Sequence, residues 1–193
     1  APCLEQVQHN DGEVDLNIAL GIIDIPEEQK QCEYVLNLQR EGNLAYIASS
    51  GYGKSVLLTS ILLSLAAMNS VKNLNYYILD FGNSALIPLK QLPHTSDYIT
   101  LDNTEVFQKF IELIQDEMSR RKKLLAEKMV QNYEVYNQVS EDKLKAIVVA
   151  VDNYDVVKDL GFDVENFFTV LSRDGVGLGI YIMITATRTI GIK

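Results

Sequence analysis

Gly-Lys-Ser at positions 53–55 is the stretch whose residue types and spacing best suit chemistry on a nucleotide. It ends a loop of small residues that follows a short apolar run and precedes the leucine-rich stretch 56–68. Backbone N–H groups of such a loop, with the N-terminus of the next helix, form an anion site that phosphate oxygens can approach closely. The lysine ammonium then meets the β- and γ-phosphates, and the serine hydroxyl meets a bridging Mg²⁺ ion. The sequence therefore predicts a phosphate-binding loop of eight residues: Ala48, Ser49, Ser50, Gly51, Tyr52, Gly53, Lys54 and Ser55.

The pattern G-x-x-x-x-G-K-[ST] is met from Gly53 onward, whereas its first position is Ala48. Because alanine is small and this residue mainly ends a strand, we expect slightly weaker nucleotide affinity and not loss of the site. A chance Gly-Lys-Ser at the start of a helix is the alternative interpretation. The arrangement of strand, loop and helix around the motif disfavours it.

Asp152 is a second candidate, because it directly follows the apolar run 146–151. In phosphoryl-transfer sites that are built on a phosphate-binding loop, a carboxylate at such a strand end holds Mg²⁺ directly or through water. Many of these ATPases place a glutamate next, as the base that activates the attacking water, but this chain has Asn153. An amide can orient water but has no useful basicity near neutral pH. We therefore predict slow or absent hydrolysis, and expect Asn153→Glu to raise it.

Two further polar residues follow strand ends and are candidates for supporting roles. Asp155 could replace the missing base, although a side chain on a strand-end turn need not point into the site. Thr187 could sense the γ-phosphate from the neighbouring strand, with a purely structural role as the alternative.

Alternating strand and helix patterns predict the elements that position these residues. Period-two alternation predicts a strand over 14–22, and with the run 34–38 it predicts a β-rich N-terminal segment. Beyond them, strands and helices alternate, which predicts a mostly parallel α/β sheet with ligands at the carboxyl ends of its strands. Four polar groups fall at such ends: the phosphate-binding loop, Asp80, Asp152-Asn153 and Thr187. The later predicted elements are helix 54–68, strand 76–80, strand 98–101, a long helix capped at 102–104 with a stripe reaching Met129, strand 146–151, a helix from an Asp163 cap to Leu171, and strand 180–184.

Two helical segments carry more specific expectations. Helix 54–68 is apolar on nearly every side, which predicts burial of more than one face. The basic run 120–123 on the long helix is interpreted as a solvated face and not as a binding patch.

Composition limits the classes of protein that need to be considered. With 193 residues, 47% of them hydrophobic and 22% charged, the chain fits one globular domain, 14–193, after a linker, 1–13. The net charge of −9 argues against broad capture of nucleic acid. Cys3 and Cys32 form neither a metal pattern nor a disulfide framework, which suits a reducing compartment. Since no apolar run approaches about 20 residues and no signal peptide is recognisable, we expect a cytoplasmic domain.

Together these motifs resemble the motor ATPases of the FtsK/SpoIIIE family, and in particular their type VII secretion branch, the EssC/EccC ATPases. The resemblance covers about residues 14–190 in the family's order, and the series of motifs is more specific than any one of them. The segments that carry it are 21–29, 48–55, 77–82, 92–94, 119–121, 151–155, 171–175, 179–180 and 185–188.

The resemblance implies a RecA-like P-loop NTPase fold that takes ATP and Mg²⁺. Active motors of the family carry Asp-Glu and Ala-Thr-Gln-Arg, where this chain has Asp152-Asn153 and Thr-Ala-Thr-Arg over 185–188. The later, degenerate modules of the secretion ATPases differ in the same way. The resemblance therefore implies a nucleotide-binding module, the C-terminal one, that acts more through binding than through turnover. An active motor that moves DNA or protein, and a pseudo-ATPase interaction domain that binds no nucleotide, are the alternatives.

Expected partners also follow from the resemblance. They are neighbouring ATPase modules of the same polypeptide and small helical secreted substrates, with a homohexamer as the full assembly and with DNA disfavoured. Membrane anchoring is expected through segments that are not in this chain. The chain stops soon after Arg188, so the C-terminal part of the module is expected to be truncated.

Overall fold

The computed structural model describes residues 13–189. The predicted linker therefore lies almost wholly outside the described residues, as does the segment 190–193. In chain order the helices and strands are β1 (Asn17–Ile25), β2 (Lys30–Asn37), α1 (Leu38–Glu41), β3 (Leu44–Ile47), α2 (Lys54–Met68), β4 (Leu74–Asp80), β5 (Thr95–Ile99), α3 (Thr104–Glu127), α4 (Tyr133–Val139), β6 (Ala146–Asp152), α5 (Phe162–Asp174) and β7 (Ile180–Ala186).

A five-stranded sheet with the order β3-β7-β6-β4-β5 forms the centre of the molecule, and all its neighbouring strands are parallel. Every residue of β6 and β7 is buried, which explains their continuous apolar sequences. The predicted parallel α/β sheet is thus confirmed. Because the strands run in one direction, the ends of β3, β4, β6 and β7 meet at one edge.

The β-rich N-terminal segment is also confirmed, as a separate antiparallel pair of β1 and β2. Its first strand covers 17–25 and not the predicted 14–22. Asp15 explains the shift, because its backbone N–H donates to the side chain of Asn69 at 2.7 Å and its carboxylate accepts from the Asn17 N–H at 2.9 Å. These bonds hold the chain before Asn17 against α2 instead of in a ladder.

Helix α2 has the predicted bounds but not the predicted burial. Leu58, Ile61, Leu62 and Leu65 are buried, and they form a single stripe. Val56 is 69% exposed and Leu63 46% exposed, so the outer face is open within residues 13–189. The helix lies on one side of the sheet, and a helix on a sheet buries only the face that contacts it.

Helix α3 begins as predicted, with the Asn103 side chain accepting from the Val106 N–H at 3.2 Å. Its apolar stripe ends earlier than expected, since Met129 lies beyond the helix and is 93% exposed. The short helix α4, capped by Asn132, was not predicted. Within the described part of the chain, no helix has the length and apolar character that a membrane span requires.

The interpretation of 120–123 as a solvated face is wrong for one residue. Arg121 is only 2% exposed, and it donates to the carbonyls of Leu178 at 2.7 Å and Lys145 at 2.9 Å. It also forms an ion pair with Glu117. A charged residue can be buried when hydrogen bonds and an opposite charge replace its water. Here the charge comes from the same helix and the carbonyl acceptors come from distant segments.

The caps and bounds of the later elements differ in smaller ways. Helix α5 begins at Phe162, after Gly161, which makes no side-chain cap, so the predicted cap at Asp163 is wrong. Strand β5 covers 95–99 and not 98–101, because it pairs with β4 from Tyr76 onward.

Candidate functional site

The loop after β3 has the backbone geometry of an anion cradle. Gly51 and Gly53 adopt φ values of 85° and 73°, which side chains disfavour. Gly53 then serves as the N-cap of α2, and its carbonyl accepts the first helical bond, from the Leu57 N–H at 2.8 Å. The unpaired N–H groups of the first turn of α2 therefore face the loop.

Lys54 is folded back over this loop. Its ammonium donates to the carbonyl oxygens of Ala48 at 2.8 Å and Ser49 at 3.0 Å. Both bonds hold the positive charge above the cradle.

Ser55 and Asp152 meet at the centre of the site. The Ser55 hydroxyl lies 3.0 Å and 2.9 Å from the two carboxylate oxygens of Asp152, although 97 residues separate them in the sequence. Thr185 on β7 donates to the same carboxylate at 2.5 Å. Asp152 is 3% exposed, and no ion pair with it occurs within residues 13–189. A buried carboxylate with two hydroxyl partners and no cation suits a site that takes up a positive ion.

Asn153 is held in place by the structure. Its φ is 61°, in the left-handed region, and its backbone N–H donates to the Thr185 hydroxyl at 3.0 Å. Its side-chain amide donates to the carbonyl of Phe81 at 3.1 Å. A glutamate has no N–H group to donate there and would bring a carboxylate against a carbonyl oxygen. The structure therefore argues against the expectation that Asn153→Glu raises hydrolysis.

Asp155 and Thr187 contact each other and not the Asp152 carboxylate. The Thr187 N–H donates to the Asp155 carboxylate at 2.6 Å. Asp155 is thereby directed towards the end of β7, which disfavours it as a replacement base. Thr185, and not Thr187, contacts Asp152, because the ladder that pairs Val151 with Ile184 brings the next residues side by side. The γ-phosphate-sensing role of Thr187 stays a prediction.

Asp80 is the strand-end residue to which sequence reasoning gave no role. Its buried carboxylate accepts from the N–H groups of Gly82 at 3.2 Å and Leu86 at 2.9 Å, and from the Tyr98 hydroxyl at 2.7 Å. Burial, and then the hydrogen bond to Asp80, raise the pKa of the Tyr98 phenol. Tyr98 thus keeps its proton and remains a donor. Only the position of Asp80 after an apolar strand hinted at this cluster.

The oxygen ligands present fit a magnesium ion that is shared with nucleotide phosphates. Hydroxyl and carboxylate oxygens are ligands that Mg²⁺ accepts, and it usually takes one or two from protein and the rest from phosphate and water. Within the described residues no group of three or more His, Cys, Asp or Glu side chains could hold a metal by itself. Ser55 and Asp152 would therefore hold the ion together with the nucleotide.

Comparisons with known proteins agree with this geometry. The model of the FtsK/SpoIIIE family matches residues 6–193. The chain is 46% identical over 174 residues to the ESX secretion system protein EccC of Geobacillus thermodenitrificans. This alignment covers 90% of this chain and 12% of that protein. It is 35% identical over 186 residues to the type VII secretion system protein EssC of Staphylococcus aureus (strain MRSA252), covering 95% of this chain and 13% of that protein. The chain thus spans about an eighth of the length of these relatives.

Solved structures give the same result. EssC (ATPases 2 and 3) from Geobacillus thermodenitrificans superposes with a TM-score of 0.89 at 42% identity, covering 100% of this chain and 37% of that one. The cytoplasmic domain of EssC superposes with a TM-score of 0.86 at 44% identity. The match covers 92% of this chain and 34% of that one. Thermomonospora curvata EccC (ATPases 2 and 3), in complex with a signal sequence peptide, superposes with a TM-score of 0.85 at 22% identity. The match covers 96% of this chain and 35% of that one, and at this identity it supports the fold alone.

The P-loop geometry, the parallel sheet and these matches lead to one assignment. The chain belongs to the FtsK/SpoIIIE family, as an ATPase domain of the EssC/EccC type VII secretion kind.

Proposed function

We propose that this domain binds Mg-ATP at the loop 48–55 and turns it over slowly or not at all. The observation that carries the proposal is the convergence of Lys54, Ser55 and Asp152 at the carboxyl ends of the sheet strands. The lysine supplies charge for the β- and γ-phosphates, and the serine and aspartate supply oxygens for the metal ion. When bound, Mg²⁺ neutralises charge on the phosphates.

Slow turnover follows in this proposal because neither base candidate among the described residues is directed at the site. The Asn153 amide is bonded to the Phe81 carbonyl and the Asp155 carboxylate to the Thr187 N–H, so neither is directed at an attacking water. A positioned general base contributes about 10²–10⁴-fold to the rate, and its absence leaves a site that holds nucleotide longer than it cleaves it. The domain would then act as a nucleotide-dependent regulatory or binding module, not as an active motor.

Its partners in this proposal are neighbouring ATPase modules of the same polypeptide. One solved relative contains two ATPases in one chain, of which this domain covers 37%. Apolar side chains are exposed on the β1–β2 pair and on the outer face of α2, where a neighbouring module could cover them. Small helical secreted substrates and a homohexameric assembly belong to the same proposal. We also propose a cytoplasmic location, with membrane anchoring through parts of the protein outside this chain.

The test of nucleotide binding is calorimetric titration of the purified domain with Mg-ATP. Lys54→Ala should abolish binding, because it removes the charge that faces the phosphates. Lys72→Ala is the matched control, since Lys72 lies on the surface beyond the far end of α2 and should leave affinity unchanged. A wild-type domain without affinity, or equal binding by Lys54→Ala, would favour the pseudo-ATPase alternative.

A further inference from the structure

Asp80 organises the loop 82–86, which has no part in the nucleotide binding proposed above. Its carboxylate accepts three hydrogen bonds, two from N–H groups at either end of the segment 82–86 and one from Tyr98 on β5. With three donors satisfied, this anion has little remaining capacity for a metal ion. Asp80 therefore holds the loop 82–86 in place and is not itself a metal ligand.

The loop lies directly against the metal-binding carboxylate. Asp80 and Asp152 are register partners at the ends of β4 and β6. The Phe81 N–H donates to the Asp152 backbone carbonyl at 3.2 Å, which continues the ladder past the strand ends. The Phe81 carbonyl in turn accepts from the Asn153 amide. Each contact joins the Asp80 loop to the strand end that carries Asp152.

Gly82 is the point of closest approach. A methyl group added there would lie 3.0 Å from one carboxylate oxygen of Asp152, closer than side-chain carbons normally come. The same methyl would lie 3.7 Å from the Asp80 carboxylate and 3.8 Å from the Asn153 Cβ. The loop therefore lies against the Asp152 carboxylate, whose oxygens also bond the hydroxyl groups of Ser55 and Thr185.

We propose that Asp80 is a positioning residue for the metal site, which acts through Gly82 to confine the Asp152 carboxylate in the orientation that receives Mg²⁺. The inference rests on the proposed binding of Mg-ATP and adds residues to that site. Asp80 gathers the N–H groups of the loop, the loop places Gly82 against the carboxylate, and Tyr98 anchors Asp80 from the neighbouring strand.

The test separates metal affinity from nucleotide affinity. ATP binding is measured by calorimetry in EDTA, and the ATP-loaded protein is then titrated with Mg²⁺. Gly82→Ala should weaken apparent Mg²⁺ affinity about 10-fold or more, as substitutions of outer-shell partners of metal ligands do. ATP affinity in EDTA should not change, since the loop 48–55 is untouched.

Two milder variants protect the test against misfolding of Gly82→Ala. Asp80→Asn keeps the shape but has one acceptor oxygen for three donors, and Tyr98→Phe removes one donor, so both should weaken Mg²⁺ affinity, the second less. Tyr76→Phe is the matched control, because it removes a buried hydroxyl on the same strand, bonded to the Leu62 carbonyl at 2.9 Å, away from the strand end.

The outcomes distinguish this inference from the proposed function. A purely structural role of Asp80 would lower the melting temperature of the variants and leave the Mg²⁺ affinity of the folded fraction as in wild type, and that result overturns the inference alone. A wild type that binds no ATP overturns the proposed function, and this inference with it, before any variant is compared.

Discussion

Asn153 shows how much a single side chain depends on its hydrogen-bond partners. As a residue type it suggests an amide that can orient water, but in the structure its N–H₂ group is bonded to the Phe81 carbonyl. Its φ of 61° is a conformation that asparagine tolerates better than most residues. The residue therefore joins the ends of β4 and β6.

At this scale we predict that Asn153→Glu does not restore hydrolysis. A positioned base raises the rate about 10²–10⁴-fold. Because the glutamate loses the bond to Phe81 and must avoid its carbonyl, the rate of phosphate release should rise by far less than that. Phosphate release is measured for wild type, Asn153→Glu and Asn153→Asp, with Asp152→Ala as the metal-site control. A gain within that range for the glutamate variant would show that the side chain can turn into the site.

At the scale of elements, Arg121 fastens α3 to the strands beneath it. Its guanidinium reaches the carbonyls that precede β6 and β7, while Glu117 on the same helix neutralises it. The adjacent Arg120 also pairs with Glu117 but is largely exposed. The two neighbouring arginines should therefore contribute unequally to the free energy of unfolding.

We predict that Arg121→Met lowers the free energy of unfolding by about 1–3 kcal/mol, because it leaves the buried Leu178 carbonyl and the partly buried Lys145 carbonyl without a donor. Glu117 keeps its second partner, Arg120. Arg120→Ala should cost about 0–1 kcal/mol, as exposed ion pairs do. Urea denaturation of both variants measures the difference. Equal losses would mean that the burial of Arg121 contributes nothing beyond a surface pair.

The ion pair also predicts a pH dependence. Burial alone would raise the pKa of Glu117, but the hydrogen bonds from Arg120 and Arg121 outweigh it and lower the pKa below its ordinary value of 4.5. A carboxyl group with a lowered folded-state pKa stabilises the protein above its unfolded pKa and loses that contribution as pH falls. Wild type should therefore be more stable than Glu117→Gln at pH 7, and the difference should shrink below about pH 4.5. A difference that is constant from pH 7 to pH 3 would contradict the assignment.

For the whole molecule, the distribution of charge decides what large partners it attracts. The net charge is −9, and the basic run on α3 offers little to compensate it. Arg121 is buried, Arg120 pairs with Glu117, and Lys122 pairs with Asp174 at 2.9 Å. Hydrogen bonds from Arg173 and Lys122 lower the pKa of Asp174 to about 2, so that pair persists at neutral pH.

We therefore predict no strong affinity for duplex DNA. Binding to phosphates needs several free cations, and its strength falls steeply with salt. Fluorescence anisotropy with a labelled duplex near physiological salt should show no sub-micromolar binding. Tight binding that weakens steeply as salt rises would instead support the DNA-motor alternative.

The sequence by itself determined the features that depend on local chemistry. Gly-Lys-Ser after an apolar run predicted the phosphate loop, and apolar runs predicted strands β6 and β7, because these signals depend on neighbours within a few residues. The helix cap at Asn103 is likewise a local feature, since its hydrogen bond spans three residues. Parallel strands then placed the loop and Asp152 at one edge without further information.

Only the tertiary structure decided which partner each polar group meets. The bond from Asn153 to Phe81 spans 72 residues, and the bond from Arg121 to Leu178 spans 57. Such pairs depend on strand order and register, which no local pattern encodes. The same reason explains the open outer face of α2 and the approach of Gly82 to Asp152. Hydrophobic periodicity states which residues avoid water, whereas the packing of distant segments determines which contacts replace it.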